Sequence, residues 1–315
     1  MYKFIDIEDP VEEEEKEILA RRLREYGSAA LAAGSSVEHV HVKFTEFKES
    51  LDACDRIFQL ATAFETPHGM ILTGPPGSSK TTLADYFIKS LPPSDLFEPG
   101  FGAIMFRLRT APSQGHVVSG LLRALKYPLA NVRRGRVFAM RDVAFEALRQ
   151  RGTRLVFVDQ AHCLSTQSRS RHADVLESGA SDTLREMMEE TKVGLVLLAD
   201  ASFRGLNHVD KALDDRVTVK MSMSHFEKGE VWEAFLVGFR KMVKCVNLGF
   251  INTERGSSLT MSATEGNRRT FRRLIVETVM VTVEDGLTVV AEEHFKRAFD
   301  LINGRASTRS NPYGR

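Results

Sequence analysis

The chain has 315 residues, 43 Lys or Arg against 42 Asp or Glu, a net charge of +1 and a hydrophobic fraction of 43%. That length holds one large or two medium domains with cores of their own, and the near-zero balance excludes any partner chosen by global charge alone. No apolar run is long enough to cross a bilayer, and the acidic start MYKFIDIEDPVEEEEKE is unlike a secretory leader, so a cytoplasmic protein is expected.

In chain order, residues 1–41 read as a charged helical extension, with a helix from about Pro10 to Ala33 that ends at Gly34-Ser35-Ser36. The run Glu12–Glu15 sits in its first turn and is either a solvated face or a docking arm. From Phe44 to Ala63 the residues Phe47, Leu51, Cys54, Ile57, Phe58 and Ala61 recur at helical spacing. Strands are predicted at 69–72, 103–108, 155–158, 194–198 and 217–221, separated by helical stretches. That alternation implies an α/β domain over 42–223 with a parallel five-stranded sheet covered on both faces. Residues 224–303 read as all helical, with candidates at 229–243, 270–283 and 292–302, and 304–315 as a flexible basic tail. Cys54, Cys163 and Cys245 form no metal-ligand spacing and read as small hydrophobes in a reducing compartment.

The first predicted strand runs into Gly74-Pro75-Pro76-Gly77-Ser78-Ser79-Lys80-Thr81-Thr82, which opens a helix. A strand, this loop and a helix form the phosphate-binding layout of a P-loop NTPase. Backbone N–H groups wrap the β- and γ-phosphates of ATP, and the helix N-terminus adds its positive end. Lys80 is expected to bridge those phosphates and Thr81 to place its hydroxyl on Mg²⁺. Ser79 stands where glycine usually precedes the lysine.

Leu155-Val156-Phe157-Val158 puts Asp159 at the carboxyl end of a buried strand, where it is expected to hold the same Mg²⁺, usually through water. The next position normally carries a glutamate that orients the attacking water, and here it is Gln160. An amide hydrogen-bonds water but takes no proton. Two explanations fit: a substitution introduced to trap ATP, or a natural ATPase that turns over slowly.

Three further residues have paired readings. Asp200, after the fourth strand, is a γ-phosphate sensor or a turn residue. Arg216 precedes the fifth strand and is an arginine finger reaching a neighbouring subunit's ATP, or a surface salt bridge to Asp214 or Asp215. Gly266-Asn267-Arg268-Arg269 opens a helix, with Arg269 as a second sensor, Arg268 as its alternate, or both as a solvated basic turn.

These motifs, in this order, resemble the initiator-like AAA+ proteins, and more closely the TniB/TnsC family of transposition ATPases. The resemblance covers roughly Val42 to Ile302. It is carried by 70–74 leading into the loop, by Val158-Asp159-Gln160-Ala161-His162-Cys163-Leu164, by the polar stretch 165–171, by 213–216 and by Thr264-Glu265-Gly266. Gln160, Ser79 and Asp200 depart from the pattern. The resemblance implies a helical lid domain after the sheet and ATP with Mg²⁺ as ligands. It also implies homo-oligomeric rings or filaments on duplex DNA in the bacterial cytoplasm, where the DNA is the nucleoid. The implied partners are a target-selector protein and a transposase. A helicase loader or initiator, and a signalling NTPase that works without DNA, use the same core. The loader would usually add a winged-helix domain, for which little chain follows Ile302. A small-molecule kinase would instead need a substrate lid inside the sheet domain.

Residues 101–154 carry eleven Lys or Arg against Asp142 and Glu146 alone, a local charge of +9. The resemblance turns the region after the second strand toward a ring's central channel. Gln114, His116, Arg133, Arg134 and Arg136 are therefore the expected phosphate contacts to DNA, backbone contacts without a sequence code. The alternative is that these arginines pair with acids or sit on a solvated helix.

Overall fold

The computed structural model describes Lys16 and residues 26–128, 130–165, 179–304 and 307–314, with backbone alone at 134. The helices and strands, in chain order, are α1 (Ser28–Glu38), α2 (Thr45–Leu60), β1 (Gly69–Gly74), α3 (Lys80–Ser90), β2 (Ala103–Arg107), α4 (Gln114–Ala124), α5 (Val137–Gln150) and β3 (Leu155–Asp159). They continue with α6 (Ala180–Thr191), β4 (Gly194–Asp200), α7 (Lys211–Asp214), β5 (Val219–Ser222), α8 (Glu230–Met242), α9 (Glu254–Thr264), α10 (Arg268–Glu284) and α11 (Glu292–Asn303). The described residues fall into two compact units. Residues 43–225 form one, and those before 43 together with those from 226 onward form the other.

In the first unit the five strands are parallel, in the order β2-β3-β4-β1-β5. Parallel strands need crossover helices, and those helices cover both faces. Every residue of β3 is buried, as its unbroken apolar run requires. Its side chains alternate between faces. Val156 and Val158 join Val117, Leu121, Phe145, Leu148, Leu184 and Met187 in the core beneath α4, α5 and α6. Phe157 points the other way, with its ring 5.5 Å from that of Phe87 on α3. Asp159 has the parity of Phe157, so the strand delivers the carboxylate to the face from which α3 rises. At the edge, β5 alternates half-buried and exposed residues, and it begins two residues later than the sequence predicts.

The second unit is helical, and it corrects three expectations. Gly34-Ser35-Ser36 does not end a helix, because α1 runs through it to Glu38. The glycine is there for close packing, since a Cβ on Gly34 would stand 2.9 Å from Cγ and Sδ of Met280 on α10. Arg272 of α10 then donates to the carbonyls of Glu38 and Val40 at the end of α1. The residues after α1 are thereby tied to the C-terminal helices instead of standing as a separate extension. Most of the predicted helix from Pro10, with the acidic run 12–15, lies outside the described residues.

The segment expected as a flexible basic tail is anchored where it is described. Tyr313 is buried, its ring stacks on Phe295 at 5.3 Å, and its hydroxyl donates to Thr260 Oγ1 at 3.1 Å. No described helix is long and apolar enough to cross a membrane.

Candidate nucleotide site and basic surface

The carboxyl ends of β1, β3 and β4 meet at one rim of the sheet, the side on which open α/β folds bind ligands. Strand register pairs Gly74 with Asp200 and Asp159 with Leu198 across the central strand β4. The loop from Gly74 to Ser79 therefore starts beside the end of β4, and α3 starts with Lys80, Thr81 and Thr82 in its first turn.

Loop conformation explains its composition. A Cβ on Gly74 would fall 2.2 Å from the carbonyl oxygen of Met223, so only glycine fits. Gly77 has φ 82°, and Ser79 has φ 70°. The left-handed region costs a residue with a Cβ about 1 kcal/mol or more, which is the physical reason for the usual glycine at position 79. Pro75 and Pro76 fill the turn, and the Pro76 carbonyl bonds His225 Nε2 at 2.9 Å. Ser78 is fully buried, with its N–H on the Pro75 carbonyl at 3.3 Å. The Lys80 ammonium folds back over the loop and donates to the carbonyls of Gly74 (2.6 Å) and Pro75 (2.9 Å) and to Ser78 Oγ (3.2 Å).

Thr81 Oγ1 lies 3.5 Å from Asp159 Oδ2. A hydroxyl and a carboxylate side by side are hard oxygen donors of the kind Mg²⁺ takes, with water and phosphate oxygens completing its shell. Among the described residues no group of three or more His, Cys, Asp or Glu converges. The carboxylate already attracts a cation. Arg107, at the end of β2, donates Nε (3.1 Å) and Nη2 (2.9 Å) to the same Oδ2. Sequence reading counted Arg107 only within the basic segment. Its place beside Asp159 follows from strand order, which no local pattern encodes.

Gln160 has φ 60° and donates its backbone N–H to Asp159 Oδ1 at 2.9 Å. Asp200 makes the hydrogen bonds of a turn residue. Its Oδ1 accepts the Ser202 N–H at 3.0 Å, and its own N–H reaches His162 Nδ1 at 3.4 Å. The Ser202 hydrogen bonds hold the Asp200 carboxyl below the usual carboxylate range, with Lys80 and His162 assisting. A carboxylate offers no proton to a phosphate oxygen, so Asp200 is not a donor-type sensor.

Arg216 pairs with neither Asp214 nor Asp215. Its guanidinium is bound to Glu189 of α6 and to the Ala212 carbonyl, and Asp214 is paired with Lys220 at 3.2 Å. In the helical unit, Asn267 caps α10 by accepting the N–H groups of Arg269 (3.0 Å) and Thr270 (3.2 Å). Arg269 is exposed. Arg268, the alternate sensor, is buried with its guanidinium 4.6 Å from the Phe226 ring.

The basic segment divides in two. Arg141, Arg149 and Arg151 have acidic partners, and Arg154 donates to the carbonyls of Phe58, Gln59 and Ala61. Gln114 is 1% exposed and cannot reach DNA from its position, which corrects the expectation; its amide N and O have no partner among the described residues. Gln114 lies on the face of α4 that also buries Val117, Val118, Leu121 and Leu122. His116 is exposed, but its Nδ1 accepts the Ser113 N–H at 3.3 Å as part of a capping box. Arg133 and Arg136 are exposed, at and beside the short 3₁₀ turn Arg134–Arg136, with no ion pair among the described residues.

Comparison with known proteins follows this geometry. The model of the family described as "Bacterial TniB protein" matches residues 36–225. No curated protein matches significantly. Among solved structures, the Aeropyrum pernix ORC2 protein in ADPNP–ADP complexes superposes with a TM-score of 0.60 at 14% identity, covering 87% of this chain and 72% of that one. The Aeropyrum pernix ORC1 protein in complex with DNA gives 0.57 at 15% identity, covering 83% and 66%. Drosophila ORC bound to DNA gives 0.51 at 13%, covering 97% and 71%. Identities this low speak for the fold alone. That fold is the AAA+ fold, a five-stranded parallel α/β sheet with a helical unit.

Proposed function

The chain belongs to the bacterial TniB family, and from that premise we propose that it is an ATP-dependent, DNA-binding AAA+ regulator of transposition. In this reading it assembles on duplex DNA and links a target-selector protein to the transposase. The observation that supports the nucleotide part most is the approach of Thr81 to Asp159 beside a phosphate loop whose lysine faces inward. The loop N–H groups, Lys80 and the N-terminus of α3 take the β- and γ-phosphates. Thr81 and Asp159 hold Mg²⁺, which when bound neutralises charge on the phosphate oxygens. Gln160 orients water without taking its proton, so hydrolysis is slow.

Arg216 acts between subunits, leaving Glu189 for the neighbour's ATP. Arg269 reports nucleotide state from the helical domain. Arg133, Arg134 and Arg136 contact DNA phosphates, a mode that accepts many sequences. The cytoplasm is the expected location. The ORC1 and Drosophila ORC structures named for their DNA complexes share the fold and are compatible with this reading.

Electron microscopy of purified protein with ATP, with and without duplex DNA, tests it. Rings or filaments that require ATP and lengthen on DNA are expected. Dispersed monomers under both conditions would contradict assembly on DNA.

A further inference from the structure

We infer that Arg107 is the resident cation of the Asp159 carboxylate and the group that the metal ion displaces, which makes it a positioning residue for the metal–nucleotide step. The inference rests on the nucleotide reading of this site. Its basis is the neighbour relation of β2 and β3, whose parallel register sets Arg107 opposite Asp159. In-register residues of adjacent strands present side chains on the same face, so the arginine stem begins beside the carboxylate.

The two carboxylate oxygens are used differently. Oδ1 accepts the Gln160 N–H at 2.9 Å. Oδ2 is the oxygen nearest Thr81 Oγ1, and it is the one that takes both guanidinium N–H groups. A divalent ion held by Thr81 and Asp159, directly or through its water, would need the same oxygen, Oδ2, that the guanidinium occupies. Both cannot keep their places on Oδ2.

Exposure decides which partner gives way. The Asp159 side chain is 11% exposed and that of Arg107 is 62%. The arginine withdraws into solvent by rotating its own stem, whereas the aspartate is fixed by a fully buried strand. Exposed ion pairs are cheap to break, so the contact works as an exchange and not as a lock. Without metal, the arginine also spares Asp159 the cost of a buried charge that has no counter-ion. The exchange sets the Mg²⁺ concentration at which the metal joins the nucleotide, and it releases a cation at the rim of the sheet when it does.

The test is the binding of a fluorescent ATP analogue in EDTA and across a Mg²⁺ series, with parent protein, Arg107→Ala and Arg107→Lys. Mn²⁺ binding followed by electron paramagnetic resonance gives a second reading. Arg107→Ala is expected to lower the half-saturating metal concentration about two- to five-fold, the worth of an exposed ion pair. Affinity in EDTA should stay unchanged, and Arg107→Lys should fall between, because an ammonium lacks the fork. An unchanged or higher metal requirement in Arg107→Ala would overturn the exchange. Weakened binding in EDTA would overturn it too, by making Arg107 a phosphate ligand. A parent protein that binds no nucleotide in either condition removes the nucleotide reading itself, an outcome distinct from the other two.

Discussion

Asp159 and Gln160 are joined by more than sequence: the Gln160 N–H donates to Asp159 Oδ1 at 2.9 Å while Gln160 holds φ 60°. The expected metal ligand and the residue in the base position are thus one rigid unit at the end of β3. Glutamate has the same backbone demands as glutamine there, so Gln160→Glu exchanges the amide for a carboxylate without moving the main chain. That substitution should raise ATP turnover by about 10²–10⁴-fold, the usual worth of proton transfer to a positioned base. Phosphate release by parent and variant decides it. Brisk release with Gln160 in place would mean that another group takes the proton.

Ser79 carries a Cβ at φ 70°. Ser79→Gly should relieve that strain and raise stability by about 1 kcal/mol, with nucleotide binding retained. Thermal or urea unfolding of the two proteins measures it. A loss of stability would mean that contacts of the Ser79 side chain outweigh the strain.

Arg216 rests on Glu189. Arg216→Ala should leave ATP binding by separate subunits intact and cost about 1 kcal/mol of stability, as for a half-buried pair near the surface. ATP-dependent oligomers should weaken. Glu189→Gln breaks the same pair but leaves the arginine, so its assemblies should persist. Light scattering with ATP compares the three. Large assemblies unaltered in Arg216→Ala would reduce the residue to a surface ion pair.

Arg133 and Arg136 are exposed cations of the basic segment without an acidic partner among the described residues, as are Arg109, Arg123 and Lys126, and they stand together on one turn. Replacing both by alanine should weaken DNA binding similarly for every sequence and flatten its salt dependence by roughly one unit per lost phosphate contact. Gln114→Ala should leave DNA binding unchanged, because the side chain is buried. Fluorescence anisotropy over a salt series gives both answers. A double variant that binds DNA like the parent while still binding ATP would remove this turn as the DNA surface.

What the sequence revealed, and what it hid, follows the range of the interactions. The loop from Gly74 to Thr81 and the strand ending at Asp159 were legible because their chemistry is local: backbone angles, a buried apolar run and a polar residue at its end. Their meeting was legible because parallel α/β sheets gather strand ends at one rim. Arg107 on Asp159 was hidden, since β2 and β3 are 52 residues apart at that pair and only strand order makes them neighbours. Arg216 on Glu189 was hidden because only the packing of α6 beside the segment before β5 brings them together. Gln114 misled because amides are usually exposed, and which face of α4 is buried depends on tertiary packing. Gly34 misled in the opposite way: a breaker by propensity, it serves as a contact point for Met280. Tyr313 lies in a polar segment without periodicity, and one buried ring on Phe295 anchors it.

The most direct measurement is a titration of labelled ATP into parent protein and Lys80→Ala. Lys80 is the only cationic side chain of the loop, and its ammonium is held among the Gly74 and Pro75 carbonyls and Ser78 Oγ. Saturable binding by the parent and its loss in Lys80→Ala, with the variant still folded by circular dichroism, is the result predicted. Unchanged affinity in Lys80→Ala would contradict the phosphate-loop reading on which the proposed function stands.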